Sequence, residues 1–221
     1  MAIIPPQRKS ISMVKAQLLN PATTSHFQVS ISFSQNGFKE YQQELGLNLD
    51  QGRLNILCSE ASLPGSRFLT AELNNNYTGV RERHVYRRGY DDQINLTFYC
   101  DADQYLPIRF FEAWMNFIAG TSISENVANQ KYSYRVKFPD QYQKDSSLEI
   151  TKFEKNLDSR RKVRPLTYKF VNCFPLAINS MPVSYDGSNL LKCTVGMAYS
   201  RYFIEKAPAG VIPRFINALT G

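Results

Sequence analysis

Histidines and phosphate-binding glycine loops are scarce in this chain. Of its 221 residues only two are histidines, His26 and His84, and neither has a serine, cysteine or acid nearby in a known nucleophile arrangement. The eleven glycines are scattered, and none forms a G-x-x-x-x-G-K or G-x-G-x-x-G run. We therefore predict no catalytic residue, no cofactor and a protein that is not an enzyme.

Paired metal ligands and long apolar runs are also missing. The cysteines lie far apart in alternating or apolar stretches, which predicts buried free thiols in a reducing compartment rather than a zinc site. They are Cys58, Cys100, Cys173 and Cys193. No apolar run reaches eighteen residues, and the first residues lack a signal-peptide pattern, so we expect a protein without a membrane segment.

Positive charge is abundant and clustered. The formal charge is +7, which suits either nucleic acid or an acidic protein surface. One cluster is Arg81, Arg83, Arg87 and Arg88, and the other is Lys155, Arg160, Arg161, Lys162 and Arg164. Ordinary solvated loops are the alternative explanation for both clusters.

Most of the chain alternates between apolar and polar residues, the pattern of half-buried strands. Phe27, Val29, Ile31 and Phe33 show this alternation within 26–34, and Ile94, Leu96 and Phe98 show it within 92–100. The same pattern predicts further strands at 53–60, 66–73, 80–88, 131–138, 147–154 and 166–174. The strands at 66–73 and 80–88 flank the turn-rich 74–79 and predict a long, projecting, arginine-rich hairpin.

Two further patterns concern the second half of the chain. Pro107, Trp114 and Gly120 predict a helix that begins near a proline, buries its tryptophan and ends at a glycine. Asp101 and Asp103 precede it, as helix-capping acids do.

The dipeptide Asp186-Gly187 predicts a tight turn between 181–185 and a strand of about sixteen residues at 189–204. A strand of that length can contribute to two packed sheets or to one barrel.

Together these patterns predict a mainly β fold, an antiparallel sandwich or barrel with one flanking helix and a projecting hairpin. We divide the chain into an extended arm (1–24), a β domain (25–204) and a tail with a short amphipathic helix (205–221). Phe215 and Ile216 belong to that helix, and nothing in the sequence indicates what covers them. We expect it to dock on a neighbouring subunit.

Nucleic-acid binding is an alternative function. Tyr132 and Tyr134 alternate with Lys131, Arg135 and Lys137, and aromatic rings can stack on bases while cations meet phosphates. In one strand, however, the tyrosines and the cations point to opposite faces. We therefore favour core tyrosines beneath a charged exterior as the explanation of this pattern.

The order of five segments resembles the tail tube family of contractile-tailed bacteriophages. These segments are the strand 27–33, the strand before Leu63-Pro64-Gly65, the strand 92–98, the helix with Phe111-Glu112-Ala113-Trp114, and Val183–Asn189. The resemblance spans about residues 25–204. It implies a structural virion protein that is made in the host cytoplasm, forms hexameric rings and stacks with neighbouring tube or baseplate rings, with possible contact to the tail sheath and transient passage of DNA through the lumen.

The basic charge, the arm and the tail differ from an acidic repeating tube subunit. They favour the baseplate-proximal ring, where the tube is initiated, over the main tube subunit, which remains the alternative. We expect the arginine clusters at protein contacts, because cations in the bore would hold DNA. The predicted ring-interface residues are Asn74, Asn75, Asn76, Tyr77, Arg81, Arg83, Arg87, Arg88, Arg160, Arg161, Phe215 and Ile216.

Overall fold

The structure is a computed structural model that describes residues 11, 21–33, 38, 42, 51–74, 77, 79–120, 136–144, 146–154 and 165–205. Most of the predicted arm, residues 131–135 of a predicted strand, the basic segment 155–164 and the tail after residue 205 lie outside these ranges. The described strands are β1 (Phe27–Phe33), β2 (Cys58–Ala61), β3 (Ser66–Asn74), β4 (Arg81–Tyr90), β5 (Gln93–Tyr99), β6 (Ser146–Lys152), β7 (Leu166–Val171), β8 (Phe174–Ile178), β9 (Lys192–Ala198) and β10 (Arg201–Glu205). The described helices are α1 (Gln51–Leu57), α2 (Leu106–Ala119) and α3 (Pro139–Tyr142).

Eight of these strands form two antiparallel sheets. Sheet I has the order β1-β6-β7-β10, and sheet II has the order β2-β5-β9-β8. In sheet I, Ile31 pairs with Leu148, and both side chains are almost completely buried. In sheet II, Leu96 pairs with Val195, and both are completely buried. The inward faces of both sheets contribute to one hydrophobic core, which confirms the predicted mainly antiparallel β class.

Helix α2 closes this core with aromatic side chains. Trp114 is 1% exposed, and its neighbours Phe110 and Phe111 meet edge to face with ring centroids 5.2 Å apart. Gly120 ends the helix in the left-handed conformation at φ 69°, and its N–H donates to the carbonyls of Asn116 and Phe117. The predicted helix, its buried tryptophan and its glycine cap are therefore confirmed.

The predicted strand at 53–60 is wrong over its first half. Residues 51–57 form helix α1, and only 58–61 form a strand. The alternation that predicted the strand placed Leu54 and Ile56 on one face, but Leu54 is fully buried and Ile56 is 84% exposed. A window this short fits either period, and packing of α1 against β1 decides in favour of the helix.

Two long predicted strands are each divided between the sheets. The stretch 166–174 breaks at Asn172, whose φ of 55° separates β7 in sheet I from β8 in sheet II. The stretch 189–204 breaks at Tyr199 and Ser200, so that β9 belongs to sheet II and β10 to sheet I. The prediction that 189–204 contributes to two packed sheets is confirmed. The prediction that it does so as one continuous strand is wrong.

Two other predicted elements differ from the structure. Residues 181–191 form no strand, and β9 pairs with β5 and β8 rather than across the Asp186-Gly187 turn. Of the predicted strand 131–138, the described residues 136–138 are not in a strand, and Val136 and Phe138 are largely exposed. Pro139 follows directly and begins α3, because a proline suits the first turn of a helix.

Candidate assembly surfaces

The hairpin of β3 and β4 is exposed along almost its whole length. Its two strands pair from Ser66 with Tyr90 to Asn74 with Arg81, with one bulge near Tyr86. They form a ladder with no other described strand, and none of their side chains is fully buried. A two-stranded hairpin alone is at best marginally stable in water. Its length and exposure therefore make the hairpin a candidate surface for contact with another molecule.

Apolar side chains are displayed along this hairpin. Phe68 is 65% exposed, Leu73 is 56% exposed and Tyr86 is 66% exposed, and Tyr77 at the turn is completely exposed. The hairpin therefore combines aromatic and aliphatic side chains with arginines, a composition enriched at the centre of protein interfaces.

Part of the positive charge of the hairpin is compensated within the hairpin itself. The Glu72 carboxylate accepts hydrogen bonds from Arg81 and from Arg83, whose Nη2 lies 3.0 Å from Oε1. The hydrogen bond from Arg81, aided by the charge of Arg83, holds the pKa of Glu72 below its ordinary value. One carboxylate thus stands between two guanidinium groups, and this group of three side chains keeps one positive charge.

A second exposed surface, which the sequence analysis missed, is the loop 179–191. Val183 is 85% exposed and Leu190 is 76% exposed, and Tyr185 is completely exposed. Backbone hydrogen bonds fix both ends of the loop, from Asn179 N to Thr194 O at 2.9 Å and from Cys100 N to Leu191 O at 3.0 Å. Apolar residues in a turn-rich segment were the available signal, but the Asp186-Gly187 turn led us to predict a hairpin there.

The hairpin and this loop lie at opposite ends of strand β5. The hairpin ends at Tyr90, just before β5 begins at Gln93, whereas the loop leads into Lys192, which pairs with Tyr99 at the other end of β5. Seven residues of a strand span about 20 Å. The two exposed apolar surfaces are therefore separated along the strand direction.

The outer edges of sheet I differ from each other. On β1 the backbone N–H of Ile31 donates to the side-chain oxygen of Asn55 in α1 at 3.0 Å, so this edge is partly covered. On β10 the outer edge pairs with no described strand, and Phe203 and Ile204 are about half exposed. An edge of this kind presents backbone groups that can pair with another chain.

The predicted interface residues fall into two groups. The six that the structure describes all belong to the hairpin or its turn: Asn74, Tyr77, Arg81, Arg83, Arg87 and Arg88. The remaining six lie outside the described residues: Asn75, Asn76, Arg160, Arg161, Phe215 and Ile216. The structure therefore brings together one of the two arginine clusters, and its role in an interface remains a prediction.

The titratable groups form no recognisable catalytic arrangement within the described ranges. The His84 ring nitrogen Nε2 lies 3.1 Å from Glu82 on the exposed hairpin, and His26 stacks on Phe153 with centroids 6.2 Å apart. No cluster of three or more histidine, cysteine or acidic side chains that could hold a metal ion occurs among the described residues. In the same part of the chain, no helix is long and apolar enough to cross a membrane.

The four cysteines are free thiols, as predicted, but only Cys173 and Cys193 are buried, whereas Cys58 and Cys100 are partly buried. Burial raises the pKa of Cys58 and of Cys193 to about 12, and burial raises that of Cys173 to about 11. Such thiols stay protonated at neutral pH and are poor nucleophiles. Cys173 and Cys193 act as small apolar side chains of the core, and Cys58 packs against it partly buried.

Comparison with known proteins gave one family and several structures. The sequence model described as phage tail tube protein matches residues 22–205, whereas no curated protein matches the sequence. A chain of the anti-feeding prophage (AFP) tube-terminating cap is 15% identical with a TM-score of 0.52, covering 94% of this chain and 100% of that chain. A chain of the AFP baseplate, 6-fold symmetrised, is 10% identical with a TM-score of 0.52, covering 85% of this chain and 97% of that chain. A chain of an extracellular contractile injection system, the PVC sheath-tube complex in the extended state, is 14% identical with a TM-score of 0.49, covering 90% and 99%. At identities of 10–15%, the two matches with a TM-score of 0.52 show a shared fold and no more.

Proposed function

The chain belongs to the phage tail tube protein family, and from that premise we propose that it is a non-enzymatic subunit of a hexameric ring at the baseplate-proximal end of a contractile tail tube. The hairpin of β3 and β4 carries this proposal, because it displays Phe68, Leu73 and Tyr86 to solvent beside its arginines and buries no side chain fully. The 6-fold symmetrised AFP baseplate, which contains a chain with a similar fold, is consistent with six copies.

A tube requires contacts between stacked rings and lateral contacts within each ring, and the exposed surfaces are placed for both. Stacking of rings is head to tail, so the surfaces that meet must lie at opposite ends of the subunit. The hairpin and the loop 179–191 satisfy this condition along β5. Closure of a ring requires lateral contacts, and the open edge of β10 with Phe203 and Ile204 is the surface that we assign to it.

The choice between the ring that starts the tube and the main tube subunit rests on charge. A net charge of +7 differs from the acidic lumen that a repeating tube subunit would need to avoid holding DNA. The internal pairing of Arg81 and Arg83 with Glu72 supports a place for the hairpin in protein contacts rather than in the bore. DNA passage and contact with the sheath are part of the same proposal, and so is the division into arm, β domain and tail.

Removal of the hairpin tests the function. In the test variant, residues 70–86 are replaced by Asn-Gly, which joins Leu69 to Arg87 through a two-residue turn that suits a short hairpin. We expect the full-length chain to form rings of about six times its 25.3 kDa mass, and stacks at high concentration, in sedimentation and electron microscopy. The shortened variant should keep the circular dichroism and melting temperature of the body and lose the stacks.

A matched pair of point variants controls for loss of any exposed phenylalanine. Phe68→Ala removes one from the hairpin, and Phe138→Ala removes one of similar exposure from the body. We expect Phe68→Ala to weaken stacking and Phe138→Ala to leave it unchanged. A wild-type chain that stays strictly monomeric, both alone and with baseplate proteins, would overturn the proposal. DNA affinity that falls steeply with salt, in a chain that never forms rings, would favour the nucleic-acid-binding alternative.

A further inference from the structure

The base of the hairpin holds a group of contacts that join it to sheet I and join its two arms. From these we propose that Arg88 is a positioning residue, which fixes the direction in which the hairpin leaves the body instead of contacting another copy. The inference rests on the proposed assembly function, since direction matters only where the hairpin must reach a second molecule. The group consists of Arg88, Tyr90, Tyr202 and Ser66, together with Asp91 and Gly65.

The guanidinium group of Arg88 connects the hairpin to sheet I. Its central carbon lies 5.1 Å from the ring centroid of Tyr90 and 5.7 Å from that of Tyr202, both within the range of cation–π attraction. Its Nη2 also donates a hydrogen bond to Ser66 Oγ at 3.0 Å. One side chain thus joins the first residue of β3, the last residue of β4 and a residue of β10.

The tyrosine that receives this contact is itself fixed. Tyr202 is only 9% exposed, and its ring meets Tyr90 edge to face at 5.3 Å and Tyr168 at 5.6 Å. Tyr202 also pairs with the buried Phe170 in the register of sheet I. Arg88 therefore stacks on a ring that the core holds in place, and a planar guanidinium group suits such stacking better than an ammonium group.

A second contact joins the two chain segments that enter and leave the hairpin. The N–H of Gly65, just before β3, donates to Asp91 Oδ2, just after β4, at 2.8 Å. A Cβ added to Gly65 would lie 2.6 Å from the same oxygen, closer than real Cβ contacts. A larger residue at position 65 would therefore force the Asp91 side chain to shift. The Gly65–Asp91 hydrogen bond thus holds the two chain segments together at the base of the hairpin.

The adjacent Arg87 shows that this role belongs to one arginine and not to the cluster. Arg87 pairs with Leu69 and Arg88 pairs with Phe68, so the two side chains point to opposite faces of the hairpin. No ion pair or hydrogen bond joins the Arg87 side chain to another described residue, whereas Arg88 makes three contacts. A hairpin held in one direction loses less conformational freedom on assembly, which is the advantage of preorganisation.

The direction of the hairpin can be measured on the unassembled full-length chain. Spin labels at Gln28→Cys on β1 and at Leu73→Cys near the hairpin end report the distance between body and hairpin. We expect one narrow distance distribution in the parent chain and in Arg87→Ala. We expect a broad distribution in Arg88→Ala, and also in Arg88→Lys, which keeps the charge but not the planar stack. Asp91→Ala supplies an independent variant at the other contact and should broaden it as well.

Assembly of the unlabelled variants gives the second readout. Arg88→Ala should slow stacking by about tenfold, in line with the energy of a cation–π contact, while the melting temperature of the body stays close to that of the parent. A narrow distance distribution in Arg88→Ala would overturn the inference, whether or not that variant assembles. A parent chain that never assembles would sink the proposed function, yet the distance measurement would still decide whether Arg88 fixes the hairpin.

Discussion

The body and the hairpin use similar strand-forming sequences under opposite conditions. In the body, every second residue of β5 is buried, and Ile94, Leu96 and Phe98 are at most 3% exposed. In the hairpin, strands of nine and ten residues bury no side chain fully. The burial of apolar surface stabilises the body within one chain, whereas the hairpin keeps its apolar surface available. The body therefore folds on its own buried apolar surface, whereas the hairpin keeps its apolar side chains exposed for the contacts that we propose.

The largest contrast should appear in thiol reactivity. Burial raises the pKa of Cys58 and Cys193 from an ordinary value of 9.0 to about 12, so at pH 8 about a thousandfold less thiolate is present than in an exposed cysteine. A cysteine introduced at Val85, which is 58% exposed on the hairpin, should react rapidly with a chromogenic disulfide reagent. Cys58 and Cys193 should react at that rate only after denaturation, and equal rates for these two thiols in the folded chain would contradict the burial described for the body.

Truncation of one aromatic side chain should lower the free energy of unfolding much more in the body than in the hairpin. Trp114→Ala removes a side chain that is 1% exposed, and we expect it to lower the free energy of unfolding by about 3–5 kcal/mol. Tyr86→Ala on the hairpin should change it by less than about 0.5 kcal/mol. Denaturant titration followed by circular dichroism measures both, since Trp114 is the only tryptophan. A comparable loss in Tyr86→Ala would show that the hairpin supports the body.

A smaller effect is expected at the start of helix α2. The Asp101 carboxylate accepts hydrogen bonds from Leu106 N at 2.7 Å and Gln104 N at 3.2 Å, and Asp101→Ala should cost about 1 kcal/mol. Burial alone would raise the pKa of Asp101, but these N–H groups and Arg53 lower it below its ordinary 3.8. The contribution is therefore complete at neutral pH and is lost as the pH falls below that value. Denaturant titrations of the parent and of Asp101→Ala at pH 7 and pH 2 measure this contribution. If the two proteins differed in their free energy of unfolding by the same amount at both pH values, the ionised Asp101 carboxylate would not be its source.

The smallest effect concerns the charge pair within the hairpin. The hydrogen bond from Arg81 and the charge of Arg83 lower the pKa of Glu72 below its ordinary 4.5, so the pairing persists at neutral pH and weakens only in acid. An NMR titration of the Glu72 carboxyl carbon should show this lowered value in the parent. In the double variant Arg81→Ala, Arg83→Ala it should return towards 4.5. An unchanged titration would mean that these arginines do not hold Glu72 in solution.

Strong local signals predicted individual elements well. The alternation of Phe27, Val29 and Ile31 predicted β1, and the proline, the periodic aromatics and the glycine predicted α2. These elements are correct because several neighbouring residues specify one periodicity and one boundary. The six described residues of the predicted interface also lie on one hairpin, because its two arms and its turn are contiguous in sequence.

Errors arose where a neighbour in space decides the conformation. Residues 53–57 alternate like a strand, yet packing of α1 beside β1 makes them helical, and Asn55 then bonds to the N–H of Ile31. The loop 179–191 contains a turn dipeptide, which predicted a strand paired with β9. Both sides of β9 are already paired, with β5 and with β8, so no place remains beside β9 for that strand. Pairing partners that are distant in sequence leave no local mark.

By itself, the sequence determined the antiparallel β character, the aromatic helix and the arginine-rich hairpin, because side-chain periodicity and turn residues act over a few positions. Only the tertiary structure decided that the chain crosses between two sheets at Asn172 and at Ser200, and that Arg88 stacks on Tyr202 while Arg87 does not. Those outcomes depend on which buried faces meet, and burial is a property of the packed chain rather than of any segment.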